Sequence, residues 1–514
     1  MWRLISGHIS LAFFALCLTA GTLTAQPITD VEVSMRWGDR QKAPSNSQIA
    51  KVIQAGSWGA RVLRYRTGRG FANEKYWIEH YDAQMDLIGR FEFELPGERK
   101  GDLEDIISLR NQLYLLTSRP DATGELSQLW LRPVSDRGQV VREDQLIATL
   151  PVDEKFRRRQ FDLEFNRDSS FILMYNQRPP ERKGPERFTL RVFDETMEPV
   201  WSRKVELPHL DRGFSIRSYQ VDQEGNVFLL GRKEPDNPES GETPHYYVYA
   251  YTRAGQQETV YRLDLADVQL NRLVLRIAGN GDMVCAGFYG APGQKSNAGV
   301  CHIRINPLTQ EAYKVHLLPF TSDFLSNSLE NAREGGSAAT RFYQIRELIL
   351  RSDGGIVLTA EQYYRTESQG ASFGMGVPLN TLFYYNDIMV ANVAPDGTYT
   401  WLRSIPKQQL TANDNGRFSS FAQATAQSRF IFLYNDHPDQ YRLDNERTSN
   451  LEEQNTVVSV TEVNRSGEVT TMPLFFNKDV GVKTRPRRCR QISANQILIY
   501  GEEGRSYRLG LLTF

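Results

Sequence analysis

The sequence predicts an all-β protein, a β-propeller of about eight four-stranded blades, on three observations. A unit of strand, tight polar turn, apolar strand, variable loop, third strand, turn and fourth strand recurs along the chain. The second strand of the clearest units is continuously apolar, as in Val227-Phe228-Leu229-Leu230 and Ile431-Phe432-Leu433-Tyr434. A strand with one wet face alternates; one covered on both faces does not. The last unit stops after three strands, while an alternating segment near the N-terminus belongs to no unit. Pairing those two would close a ring.

Taken in chain order, Arg3, an apolar run over 9–20 and small residues leading to Ala25 read as an export signal. Residues 1–25 are therefore set apart, and 26–514 are expected to form a single propeller. Leu23 is larger than the residue usual three places before a cleavage point, and Cys17 offers a lipid anchor as the rival reading, with Leu16 where a lipobox wants a small residue. No later stretch approaches the ~20 apolar residues of a membrane helix. The expectation is an exported chain, in the periplasm or at the cell surface, with no membrane span.

Val31-Glu32-Val33-Ser34-Met35-Arg36-Trp37 alternates like a strand and is the candidate partner for the C-terminal strands. The first unit, over 48–95, is poorly patterned; without it the ring has seven blades. The clearest unit spans 216–265, with Gly225 and Gly255 at its two tight turns, where glycine supplies positive φ. Across the chain the second strands centre on Leu63, Leu115, Leu173, Leu229, Cys285, Leu358, Leu433 and Ile499, with spacings of 52, 58, 56, 56, 73, 75 and 66 residues. A period of that size with four short strands suits propeller blades. The longer spacings are assigned to loops at 366–381 and 437–455. No long helix is expected, only one or two turns near 326–333. A membrane barrel is disfavoured because Arg508 and Gly510 fall where lipid-facing apolar residues belong.

Charge excludes some functions. Lys+Arg of 61 against Asp+Glu of 62 gives net −1, and loss of Arg3 takes this to about −2. Neither nucleic acid nor an anionic membrane is an expected partner. The basic runs 157–159 and 485–490 read as solvated loops and strand ends. Of four cysteines, Cys17 leaves with the signal, and three cannot all pair within one chain. Cys285 and Cys301 flank Ala291-Pro292-Gly293 symmetrically, so a cross-strand disulfide and two buried thiols both stay open. Cys489 reads as a core residue of a strand.

Chemistry is sparse. No two His or Cys stand at zinc-ligand spacing, and His302 and Cys301, adjacent on a strand, point to opposite faces. There is no nucleophile elbow, P-loop or dinucleotide fingerprint, so no metal or cofactor is expected. Asn413-Asp414-Asn415-Gly416 lacks the first Asp and the final Glu of a calcium loop and reads as a turn. The endings of WD repeats and the Asp-boxes of sialidases are missing, and a kelch-type Gly pair occurs once, at Gly354-Gly355. Two Tyr-Asn-Asp triplets put Asn386, Asp387, Asn435 and Asp436 forward as binding residues. They could present oxygens at one rim to a cation or a sugar. The alternative is that they cap turns through their own backbone. One triplet opens a third strand and the other closes a second, which argues against convergence.

Phe383-Tyr384-Tyr385-Asn386-Asp387-Ile388, followed by Pro395-Asp396-Gly397, Trp401 and Ile405-Pro406-Lys407, resembles a segment of uncharacterised exported repeat-β proteins of Bacteroidetes-type bacteria. Phe432-Leu433-Tyr434-Asn435-Asp436-His437 resembles a companion segment. The likeness covers about 30 residues and implies export and a repeat-β fold; it transfers no site. The functional expectation is a non-enzymatic binding or scaffold propeller of the cell envelope, its partner a protein or glycan. A glycan hydrolase or lyase with paired carboxylates in the axial funnel is the alternative.

Overall fold

Each of the eight apolar stretches forms the second strand of an antiparallel sheet: Gly59–Arg66, Gln112–Pro120, Phe171–Gln177, Val227–Lys233, Met283–Gly290, Ile356–Gln369, Arg429–Asp436 and Gln496–Glu503. The computed structural model describes residues 33–66, 74–95, 102–151, 161–177, 184–210, 213–237, 242–265, 267–307, 311–331, 340–369, 379–427, 429–437 and 456–514. The expected export signal, the 157–159 basic run and most of the 437–455 loop lie outside these residues. Among the described residues the strands assemble into eight blades in a ring, a β-propeller. The weakly patterned first unit is a full blade, Ser47–Gly56, Gly59–Arg66, Lys75–Tyr81 and Leu87–Phe93, so the count is eight and not seven. Blades are numbered 1 to 8 along the chain. In each, the first strand lies nearest the axis, where successive first strands meet, as Phe214–Val221 meets Gln269–Ile277.

The ring closes between the two ends of the chain. Ser34–Trp37 runs antiparallel to Ser506–Thr513, with Ser34 opposite Thr513 and Trp37 opposite Gly510, and supplies the outermost strand of blade 8. Lys483–Thr484 and Arg490–Ser493 share the inner edge of that blade.

The core is divided among eight hydrophobic clusters, one at each blade junction. This explains the unbroken apolar runs. In blade 4, Val227 and Leu229 face the cluster shared with blade 3, while Phe228 and Leu230 face the one shared with blade 5. Full burial of such a side chain contributes roughly 1.5–3 kcal/mol. Blade 1 meets blade 8 through Ile49, Val62 and Tyr81 against Leu498, Tyr507 and Leu509.

A repeated staple adds polar specificity to two junctions. Trp201 on blade 3 donates its Nε1 to Gly225 O (2.9 Å), and Arg203 donates to Gly255 O (2.6 Å) on blade 4. Trp401 on blade 6 donates to Arg465 O (3.1 Å), and Arg403 to Gly467 O (2.6 Å) on blade 7. Both receiving glycines have positive φ, +74° at Gly255 and +82° at Gly467. A Cβ at either would lie 2.7 Å or 2.5 Å from the docked indole, so the turn needs glycine for two reasons.

Several expectations are corrected. The helix near 326–333 begins earlier and is longer, Ser322–Asn331, seated by Phe324 against Phe288, Phe320 and Tyr343. Part of the expected 366–381 loop is strand: Ile356–Gln369 and Leu379–Val393 extend well past their blade, and Gln409–Ala412 adds a strand beside the extension. Cys285 stands opposite Ile303 and Cys301 opposite Gly287, because the hairpin is centred one residue beyond Gly293; the two thiols are diagonal, free and buried. Cys489 is buried at the end of a 3-10 turn, Pro486–Arg488, just before its strand. Nor is the 485–490 run simply solvated: Arg488 and Arg490 donate to Ala50 O and Val52 O of blade 1 across the ring closure.

Candidate functional site

Antiparallel order gives each blade two ends. First-to-second and third-to-fourth turns lie at one, and the longer second-to-third connections at the other. Both Tyr-Asn-Asp triplets lie at this second end, because the close of a second strand and the opening of a third are adjacent across one hairpin. They share a ring face, contrary to the expectation that their positions separate them. They are not, however, open to a ligand. Asn386, Asp387, Asn435 and Asp436 are 8%, 0%, 0% and 1% exposed.

What joins them is a buried polar lattice spanning blades 6, 7 and 8. Glu361 accepts from Lys407 Nζ (2.8 Å), Ser420 Oγ (2.8 Å) and Arg346 Nε (2.9 Å). Lys407 Nζ also donates to Tyr385 O (2.8 Å), and its backbone N–H to Asp387 Oδ1 (3.2 Å). Gln409 carries the chain of bonds to blade 7 through Asn435 O (2.6 Å). The Asn435 side chain donates to Phe418 O and Thr484 O (both 2.7 Å) and accepts from Asn477 (2.8 Å). Asp436 accepts from the His437 N–H (2.9 Å). Burial pushes the Lys407 ammonium down, against the opposing pull of Glu361. A buried ion is tolerated only when its bonds are satisfied, so this lattice braces the rim. Glu79 is braced similarly at the blade 8–blade 1 junction by Arg64 (2.8 Å), Arg90 (2.7 Å), Tyr81 (2.8 Å) and Tyr507 (2.9 Å). Burial alone would raise Glu79, but the two guanidiniums outweigh it and hold it low.

Accessible charge gathers instead on the inner strands. In blades 1, 2, 4, 5 and 6 the first strand carries a bulge two or three residues from its start, with Ala50, Glu104, Arg217, Asn271 and Arg346 as the extra residues. One extra residue re-aims the side chains on either side of it. The inner wall that results is bipolar. Blades 2 and 3 contribute Glu104, Asp105, Asp162 and Glu164, and blades 4 to 6 contribute Arg217, Arg272, Arg276 and Arg346 with a single carboxylate, Glu347, among them. Asp105 is paired with Lys51 of blade 1 (2.6 Å). Glu164 accepts from Gln220 (2.8 Å). Burial raises the Glu164 and Glu347 carboxyls, and both lie within the field of Arg276, which opposes the rise.

The basic half is only partly neutralised. Arg217 and Arg272 are exposed, and among the described residues neither has a carboxylate partner; Arg272 donates to Gln344 of blade 6 (3.0 Å). Arg232 lies over the Tyr246 ring, 6.0 Å from its centroid, and pairs with Glu234. The Tyr246 hydroxyl donates to the carbonyl of Asn271, next to Arg272 (3.2 Å). Although Arg272 is exposed as a residue, partial desolvation of its guanidinium by the surrounding strands pushes it down; Tyr246 opposes this, and the neighbouring Arg217, Arg232 and Arg346 add to it. No group of three or more His, Cys, Asp or Glu suited to a metal occurs among the described residues. Asn413–Gly416 is a turn, with Asp414 accepting the Gly416 N–H (2.8 Å).

These inner-strand residues were not singled out from sequence. The available signal was a charged residue at like positions in first strands, obscured because a bulge breaks the alternation on which face assignment depends.

The eight-bladed propeller is the class this fold defines. No protein-family model and no curated protein matches the sequence. Solved structures similar to it include a protein of unknown function from Bacteroides caccae, with 11% identity over 67% of this chain and 94% of that one and a TM-score of 0.26. Another is a protein of unknown function from Dyadobacter fermentans, with 11% identity, 69% and 95% coverage and a TM-score of 0.32. The WD40 domain of SCAP from fission yeast covers 94% of this chain and 98% of its own at 9% identity, with a TM-score of 0.40.

Proposed function

We propose that this chain is a non-enzymatic binding propeller of the cell envelope, exported by its N-terminal signal, which takes its ligand at the axial mouth on the face of the longer connections. One observation carries the reading: inner strands of several blades, each bulged two or three residues from its start, carry exposed charged side chains toward the same end of the ring. The braced lattice beneath the Asn-Asp segments supports it by holding the rim of blades 6 to 8 rigid, and a rigid frame lowers the ordering cost of binding. Capture from native envelope extract on the immobilised mature chain tests it. A specific protein or glycan should be retained. Recovery of nothing over a range of salt and pH counts against the reading.

Catalysis on a glycan is the second reading, supported by Glu164 and Glu347, inner-strand carboxyls of blades 3 and 6 that both have Arg276 as a charged neighbour and are both raised by partial burial. A carboxyl whose pKa is raised above its ordinary value is better suited to act as a general acid. Loss of glycan cleavage in Glu164→Gln and Glu347→Gln, with binding retained, would favour it over the first.

A further inference from the structure

We propose that the basic half of the axial mouth is an oxyanion site, built by Arg217, Arg232, Arg272 and Arg346 and specific for the carboxylate, sulfate or phosphate groups of an anionic ligand. The inference rests on the binding reading above and names its chemistry.

Four guanidiniums from three consecutive blades are brought to the same end of the ring by independent features of the fold. Arg217 and Arg346 are the extra residues of inner-strand bulges, and Arg272 directly follows the bulge of blade 5. Arg232 lies on the second strand of blade 4, opposite Ser215 of its first strand, and is held over Tyr246, whose hydroxyl bond to Asn271 O ties blade 4 to blade 5 beside Arg272. Two of the four are already committed to carboxylates, Arg232 to Glu234 and Arg346 to Glu361. Those pairs fix the outer members in place. Arg217 and Arg272 are exposed between them without a carboxylate. A planar fork of donors meets a carboxylate or phosphate through two parallel bonds, which makes arginine suited to such a group. Like charges held together by the backbone repel, and an anion placed among them relieves that repulsion. The acidic stretch of blades 2 and 3 beside it, Glu104, Asp105, Asp162 and Glu164, disfavours anions there and favours the arginine side, where Glu347 is the one inner-strand carboxylate among the described residues. The selective ligand therefore carries its negative groups at one end.

Isothermal titration calorimetry of the full mature chain at low salt tests the proposal with three probes: inorganic sulfate, inorganic phosphate and a trigalacturonate, with cellotriose as the uncharged control. Binding of any of the anions with no binding of cellotriose is expected. Tighter binding of the trigalacturonate than of either inorganic ion places the site on an anionic glycan. Equal binding places it on a free oxyanion. Arg217→Gln and Arg272→Gln should each weaken the anion roughly tenfold, as loss of one charge-assisted contact does. Arg187→Gln, on the outer part of blade 3, should not. Unchanged thermal midpoints show that the variants fold. The proposal is overturned by absence of anion binding in the parent chain, or by anion affinity that survives both arginine substitutions together. If envelope capture retains a ligand equally well with Arg217→Gln and Arg272→Gln, the binding reading stands and the oxyanion assignment falls.

Discussion

His302 gives the sharpest quantitative expectation. It sits on the third strand of blade 5, fully buried toward blade 6, opposite His316 with ring centroids 5.9 Å apart. Neither of its ring nitrogens has a hydrogen-bond partner. Burial, then Arg304, His316 and Lys314, push its pKa down to about 4 from an ordinary value of 6.5. Arg304 leans toward Asp282 (4.0 Å) and Lys314 donates to Pro395 O on blade 6 (3.1 Å). The unfolded chain therefore takes up the proton first as pH falls. The neutral ring contributes stability that is complete above the ordinary value, declines as pH drops toward 4, and is exhausted below it. At 1.36 kcal/mol per unit, the loss between about pH 7 and pH 4.5 amounts to roughly 2 kcal/mol. Replacing His302 with Met removes the titration while keeping a comparable volume. Urea unfolding of parent and His302→Met over that range should show the parent losing about 2 kcal/mol more than the variant. If the two stability curves stay parallel, the ring is already protonated or hydrogen-bonded in the folded protein and the reasoning fails.

Other perturbations have equally definite outcomes. Gly467→Ala forces a side chain to a φ of +82° and into Trp401, so it should cost about 2 kcal/mol in chemical denaturation, while Gly124→Ala, at φ +78° with nothing nearby, reports the backbone strain alone. Lys407→Met leaves Glu361 buried with Arg346 and Ser420 but without its ammonium; a loss of about 3–5 kcal/mol is expected, and the double variant Lys407→Met, Glu361→Gln should recover part of it. Burial pushes the Cys301 and Cys489 thiols up to about 12 and raises Cys285 as well, so a thiol-specific reagent should leave all three unmodified in the folded chain and label them in urea. Rapid labelling of the native protein would place one of them at the surface.

The residues that disclosed the fold share one property: they lie on strands covered on both sides. Leu63, Leu115, Leu173, Leu229, Cys285, Leu358, Leu433 and Ile499 all fall within the second strands of their blades. The closing strand was legible because 31–37 alternates and had no other partner. Less legible was anything set by a one-residue shift. The inner-strand bulges moved Arg217, Arg272 and Arg346 off the simple alternation, and a hairpin centred one residue later moved Cys301 from Cys285 to Gly287. The Asn-Asp segments were recognisable as unusual, yet their role depends on Lys407, Gln409 and Asn477, brought to them only by tertiary packing. The two Trp-x-Arg sequences at Trp201 and Trp401 were a readable repeat, each answered by a glycine turn one blade on.

Ser34 finds its partner at Thr513, so almost the whole polypeptide must be made before the first strand can be seated. Synthesis order and assembly order are thus opposed at blade 8. A growing chain keeps that strand and the free flank of blade 1 exposed until the final hairpin emerges, and so long-range a pairing is slow to form.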